Sequence, residues 1–151
     1  MRTLIICESV HHGNTKKIAD AMAAVLNAEI KKPAEIDVGK LGEYDLIGFG
    51  SGIYMGRMHK NLLKLVDSLP KLERNAFIFS TAGSDGENMK YHKALKEKLA
   101  SKGFKVLDEF ACRGFDTFGP LVLVGGLNKG KPDEKDLGSA REFAARLKGS
   151  K

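Results

Sequence analysis

The segment Ser9-Val10-His11-His12-Gly13-Asn14-Thr15 follows a short apolar run at residues 4–7 and leads into a stretch whose apolar residues recur at helical spacing from Ile18. By position it is a phosphate cradle. A turn of small and polar residues at a helix N-terminus presents backbone N–H groups with no partner inside the helix, hydroxyls beside them and the positive end of the helix dipole behind. The same residue types also make an ordinary helix cap in proteins that bind nothing, so this segment alone leaves both readings open. There is no G-x-x-x-x-G-K-[ST], and no G-x-G-x-x-G follows the first apolar run, which excludes a P-loop nucleotidase and a dinucleotide-binding fold.

Two further segments carry binding chemistry. Gly50-Ser51-Gly52-Ile53-Tyr54-Met55-Gly56 is a run of small residues interrupted by one aromatic. Small residues let a flat ring approach the backbone, and Tyr54 can stack on it with a gain of about 0.5–1.5 kcal/mol beyond area burial; a half-buried core tyrosine is the competing reading. Ser80-Thr81-Ala82-Gly83-Ser84-Asp85-Gly86 is again small and polar and precedes a helical stretch. It can offer backbone hydrogen bonds to a heterocycle, or be a plain capped turn. No G-x-S-x-G elbow, paired-carboxylate motif or Cys and His couple accompanies them.

The elements that must position these segments follow from periodicity. The apolar runs at 4–7, 46–49 and 76–79 are short and bounded by glycine, serine or charge, as strands buried on both faces are. Between them, Ile18, Met22, Val25 and Leu26 share a helix face; so do Leu62, Leu65, Val66 and Leu69, then Tyr91, Ala94, Leu95 and Leu99, and finally Leu137, Ala140, Ala144 and Leu147. Gly103 stands at a helix C-cap. Residues 104–112 read as a partly alternating strand suited to an edge, 28–31 as a weaker strand, and 35–41 as a short helix or a loop. Segment 114–131, rich in glycine, fits neither period and reads as an ordered loop or an added strand. Alternating strands and helices imply a parallel sheet covered on both faces. In the strand order 2-1-3-4-5 the three binding segments reach one sheet edge, beside the crevice where the chain reverses direction.

Composition agrees with one domain over 1–151: hydrophobic residues make up 42% and charged ones 29%. No stretch approaches the roughly 20 apolar residues of a spanning helix, and no leader pattern opens the sequence, so the expected location is the cytoplasm. The net charge is +6, yet Lys and Arg are spread along the chain without a basic block or interleaved aromatics. That describes a solvated basic surface and excludes a nucleic-acid reader. Cys7 and Cys112 form no C-x-x-C pair and fall on strands that are not neighbours in the expected sheet, so unbridged buried thiols are expected.

The chain resembles the flavodoxin family over nearly its whole length. Gly13-Asn14-Thr15 matches the G-N-T of the family's phosphate loop, and Tyr44-Asp45-Leu46-Ile47-Gly48-Phe49-Gly50-Ser51 is similar to its third strand and second flavin loop. The resemblance implies a flavodoxin-like α/β fold, a doubly wound five-stranded parallel sheet of order 2-1-3-4-5 with helices on both faces; flavodoxin is itself a standard illustration of the crevice rule. It implies FMN as cofactor. Ser9, His11, His12, Gly13, Asn14 and Thr15 would hold its phosphate, Ser51, Gly52, Ile53 and Tyr54 one side of the ring, and Thr81, Ala82 and Gly83 the other. Ser9, four positions before Gly13, carries a second resemblance to short flavodoxin-domain proteins of the protoporphyrinogen oxidase type. The implied function is electron transfer to a redox partner protein with an acidic surface. An FMN-dependent oxidoreductase acting on a quinone or porphyrin-type small substrate is the alternative, and a flavin-free interaction domain a third reading.

Three departures modify the expectation. His12 stands where many flavodoxins have Thr before the G-N-T; a protonated imidazole there would compensate for the missing hydroxyl, and an exposed loop histidine with no role is the competing reading. Arg57, His59 and Lys60 follow the second loop, whereas carriers of the familiar kind are acidic around the flavin. Positive charge there eases full reduction and raises the potential, unless these side chains point into solvent. Cys112-Arg113-Gly114-Phe115-Asp116-Thr117-Phe118-Gly119 has no counterpart in those carriers; Phe115 or Phe118 would cover the ring, meet an apolar substrate or plug a long loop.

Overall fold

Strands whose two faces are both apolar can sit only between helical layers, and the three most apolar runs become the centre of the sheet. The computed structural model describes residues 1–9, 13–83, 89–114 and 130–149. In chain order the elements are β1 (Thr3–Glu8), α1 (Asn14–Leu26), β2 (Glu29–Lys31), β3 (Leu46–Tyr54), β4 (Arg57–Met58), α2 (Lys60–Ser68), β5 (Asn75–Ala82), α3 (Lys93–Ser101), β6 (Lys105–Arg113) and α4 (Glu134–Lys148). The sheet runs β2-β1-β3-β5-β6 with every pair parallel, which is the expected 2-1-3-4-5 order, and β4 adds a short antiparallel pairing on β3.

Side-chain alternation along the strands divides the core into two layers. Leu4, Ile6, Ile47, Phe49, Ala76 and Ile78 face α2 and α3 with Leu62, Val66, Leu95 and Leu99. Ile5, Cys7, Phe77 and Phe79 face α1 and α4 with Ile18, Met22, Ala140, Phe143 and Leu147. In the second layer β3 contributes Gly48 and Gly50, and the rings of Phe77 and Phe79, their register partners on β5, lie across them. A Cβ on Gly48 would stand 2.3 Å from Phe77 Cζ and one on Gly50 2.1 Å from Phe79 Cζ.

The helix ends follow local chemistry. Gly103 has φ +86, and the bonds Gly103 N–H to Ala100 O and Phe104 N–H to Leu99 O, each 3.0 Å, form a Schellman motif that ends α3. At the start of α4, Asp133 accepts from Asp136 N and Asp136 accepts from Asp133 N, at 3.0 and 2.9 Å. That amide bond, followed by Lys131, holds the Asp133 carboxyl at about 2. The expected helix face at Tyr91 and Ala94 is not met: Ala94 is exposed, and Tyr91 precedes α3 in a 3-10 turn, Met89–His92. Residues 35–41 span two 3-10 turns, Pro33–Glu35 and Val38–Glu43, with Ile36 and Asp37 between them.

β3 runs further than its apolar core suggests, through Tyr54, and turns back at Met55 and Gly56 with φ 51 and 77. Two consecutive positive φ values are the geometry of a tight hairpin; spelled Met-Gly instead of Asn-Gly, the turn reads in sequence as open loop. Cys7 and Cys112 are buried and unbridged, β1 and β6 being separated by β3 and β5. Burial pushes the Cys7 thiol up to about 12, so it stays protonated at physiological pH. Among the described residues no helix is long and apolar enough to cross a membrane. Of segment 114–131 only Gly114, Gly130 and Lys131 are described.

Candidate functional site

α1 opens on Gly13, which is left-handed at φ 64 and ψ 23 and has no side chain with which to cap the helix. Its first residues, Asn14, Thr15, Lys16 and Lys17, include no acid, and nothing among the described residues lies within 4 Å of a Cβ placed on Gly13. Ser9 Oγ accepts from Lys16 N at 3.2 Å. Asn14 is buried against Gly114, where a Cβ would come within 2.6 Å of Asn14 Nδ2, and Gly114 N donates to Ala82 O at 2.9 Å. The helix start and the ends of β5 and β6 are therefore in contact.

The strand ends bring the other predicted residues to the same rim. Glu8 pairs in register with Ser51, Ser51 with Ser80, and Gly52 with Thr81, so Tyr54 and Gly83 each stand two residues beyond one matched pair. Thr15 and Thr81, both buried, join their hydroxyls at 2.9 Å and tie α1 to the end of β5. Thr15→Val would leave the Thr81 hydroxyl buried without this partner, a loss of about 1–3 kcal/mol. Adding Thr81→Val is expected to recover most of it, and denaturant melts of the two singles and the double check this as a cycle.

Not every predicted residue faces the rim with its side chain. Ser51 is fully buried in the α2 and α3 layer, where its hydroxyl donates to Gly52 O at 2.7 Å and accepts from His59 N at 2.9 Å. Ile53 packs in the same layer and pairs with Met58. Gly52 and Tyr54 point the other way: a Cβ on Gly52 would lie 2.7 Å from Tyr54 Oη, and the half-buried Tyr54 ring meets His59 edge-on at 5.2 Å. His59 Nδ1 caps α2 by accepting from Asn61 N at 3.0 Å. Arg57 and Lys60, on either side of it, are exposed. His11, His12, residues 84–86, Phe115 and Phe118 lie outside the described residues.

A buried polar chain beside the rim had no sequence counterpart. Ser80 Oγ lies 2.6 Å from His92 Nε2, His92 Nδ1 lies 3.0 Å from Glu109 Oε1, and Lys96 Nζ donates to Glu109 Oε2 at 3.0 Å. His92 is 0% exposed. Burial lowers its pKa below the usual histidine value against the opposing pull of Glu109, so the ring is neutral at neutral pH. A carboxylate only accepts, which puts the proton on Nδ1 and leaves Nε2 to accept the Ser80 hydroxyl. The signal was in the alternation of β5: Ser80 shares a face with Ala76 and Ile78, so a hydroxyl there enters an apolar layer and needs a partner. Among the described residues no group of His, Cys, Asp and Glu is placed to hold a metal ion.

A family model described as a flavodoxin domain matches residues 4–116. The uncharacterized protein MJ0298 of Methanocaldococcus jannaschii is 49% identical over 144 residues, covering 95% of this chain and 96% of that protein. Among solved structures, a flavodoxin from the domain Archaea is similar with a TM-score of 0.73 at 19% identity, over 99% of this chain and 97% of that one. Oxidised Flavodoxin 1 from Bacillus cereus is similar with a TM-score of 0.70 at 21% identity, over 99% of each chain. At such identities these two likenesses concern the fold.

Proposed function

The chain belongs to the flavodoxin family, and on that premise we propose that it binds FMN at the rim formed by the ends of β1, β3 and β5 and passes electrons to a partner protein. When bound, FMN supplies one- and two-electron redox chemistry; the residues of the chain hold it, orient it and set its electrostatic surroundings. The observation that carries this reading is the start of α1. A left-handed glycine, which brings no side-chain cap of its own, opens the helix, with no acid in the first turn, with Ser9 Oγ on the Lys16 amide and with its Cβ direction clear of the described residues around it. It does so beside the crevice where β1 and β3 part the chain's direction. A helix start left in that state suits a phosphate, which would satisfy the amides and the dipole together.

Ser9, Gly13, Asn14 and Thr15, joined by His11 and His12, are the proposed phosphate contacts. Gly52 and Tyr54 would border one side of the ring and Thr81, Ala82 and Gly83 the other, with Ser51 and Ile53 contributing backbone. We place the protein in the cytoplasm as one domain over 1–151. The net charge of +6 and the exposed Arg57 and Lys60 favour a partner with an acidic surface, bound more weakly as salt rises.

Titrating purified protein into FMN and into riboflavin, which lacks the phosphate, tests the reading. Quenched flavin fluorescence is expected with both, with riboflavin bound at least about tenfold more weakly. Equal affinities would remove the phosphate cradle, and no binding of either would leave an interaction domain with this fold. Turnover of a quinone or protoporphyrinogen without a partner protein would move the assignment to an oxidoreductase.

A further inference from the structure

We propose that Ser80, His92 and Glu109 form a buried clamp whose task is to hold the end of β5, Thr81 and Ala82, with Gly83 beyond it, in position for the flavin ring, His92 acting as a positioning residue. This rests on the FMN reading above. The chain leaves β5 at Ala82 and returns in the 3-10 turn Met89–His92 that leads into α3. The bond from Ser80 Oγ to His92 Nε2 at 2.6 Å therefore joins the end of β5 to the 3-10 turn. Glu109 on β6 fixes the imidazole from its other nitrogen at 3.0 Å, and Lys96 on α3 fixes Glu109. Three elements thus meet at one ring.

The location argues against a role in stability alone. A fully buried imidazole surrounded by polar partners is an expensive occupant of an apolar layer, and a leucine of similar volume would pack there at less cost. The β5–β6 ladder is paired along its whole length without it, from Asn75 with Lys105 to Ala82 with Arg113. What the ring adds, and no apolar side chain can, is a directional tie between a buried hydroxyl near the end of β5 and the 3-10 turn that precedes α3. Its direction is fixed, because the Glu109 carboxylate dictates the tautomer and the tautomer dictates that Ser80 donates.

The clamp lies on the opposite face of β5 from the Thr15–Thr81 contact, so its loss makes a distinctive signature. His92→Leu and the milder Ser80→Ala are expected to weaken FMN and riboflavin by the same factor, about tenfold, since the phosphate cradle is untouched. His92→Gln, whose side-chain amide reaches the Nε2 position, is expected to restore binding to within about threefold of the parent. In flavin-free protein, amide exchange at Thr81, Ala82 and Gly83 is expected to quicken about tenfold in His92→Leu while the amides of β1 keep their rates. Lowered thermal stability with unchanged affinity for both flavins, or unchanged exchange at 81–83, would overturn the clamp. If neither flavin binds the parent protein, the FMN reading fails by itself, and faster exchange at 81–83 still supports the clamp.

Discussion

Gly50→Ala is expected to destabilise the protein by about 3 kcal/mol or more, lowering the melting temperature by roughly 10 °C. The reason lies in how β3 and β5 pack. The Phe79 ring lies flat against the backbone of its register partner, and the new Cβ would meet ring atoms Cζ and Cε2 at 2.1 and 2.2 Å. Those atoms belong to a side chain with no exposure, within an aromatic group in which Phe77 and Phe79 stack at 6.1 Å and Phe77 meets Phe143 at 6.0 Å. The ring cannot retreat without disturbing its neighbours, so the strain is borne by the sheet. Chemical denaturation measures the loss, and adding Phe79→Leu is expected to return part of it. A loss under about 1 kcal/mol would mean that the layer yields far more than a close-packed interior does.

Gly13→Asp is expected to separate binding from folding. An aspartate in the left-handed region costs about 1–2 kcal/mol of backbone strain, and as a cap its carboxylate returns only about 0.3 kcal/mol over the glycine. Stability therefore falls by about 1 kcal/mol, far less than the loss expected in binding. Affinity for FMN falls at least about a hundredfold, because the carboxylate occupies the amides and repels the phosphate dianion. Gly13→Ala carries the strain without the charge or the cap, so it should lose about 1 kcal/mol of stability and less than about tenfold in affinity. Calorimetric titration of both variants with FMN, beside their thermal melts, decides the matter. Wild-type affinity in Gly13→Asp would place the phosphate elsewhere.

The parallel strands were legible because their signal is local. Runs such as 46–49 and 76–79 are apolar on both sides of the pleat, and few arrangements other than a covered central position suit them. Gly103 was legible for the same reason, as only glycine takes φ +86 without strain. The predicted site residues came from the rule that such strands deliver to one edge, and the register of Glu8, Ser51 and Ser80 sets their strands in line. What the sequence left out depended on partners distant along the chain. The rings of Phe77 and Phe79 lying over glycines, the cap made by His59 and the chain from Ser80 to Glu109 each need a contact that no spacing announces. Ser51 and Ile53 were grouped with Gly52 and Tyr54 because the segment was read as a loop. Once β3 is seen to continue through Tyr54, period-two alternation sends them to opposite faces.

The adjacency of Ser80 and Thr81 has a bearing on how this rim can vary. Neighbours along one strand, they engage opposite helical layers, so a single peptide unit is the shared boundary between two separately anchored halves. Drift in the residues that grip from the α1 side can proceed without retuning those beneath α3, and the reverse holds equally. With FMN at this rim as proposed, such insulation would let preference for the tail of the ligand and grip on its planar head evolve as independent traits of one small sheet.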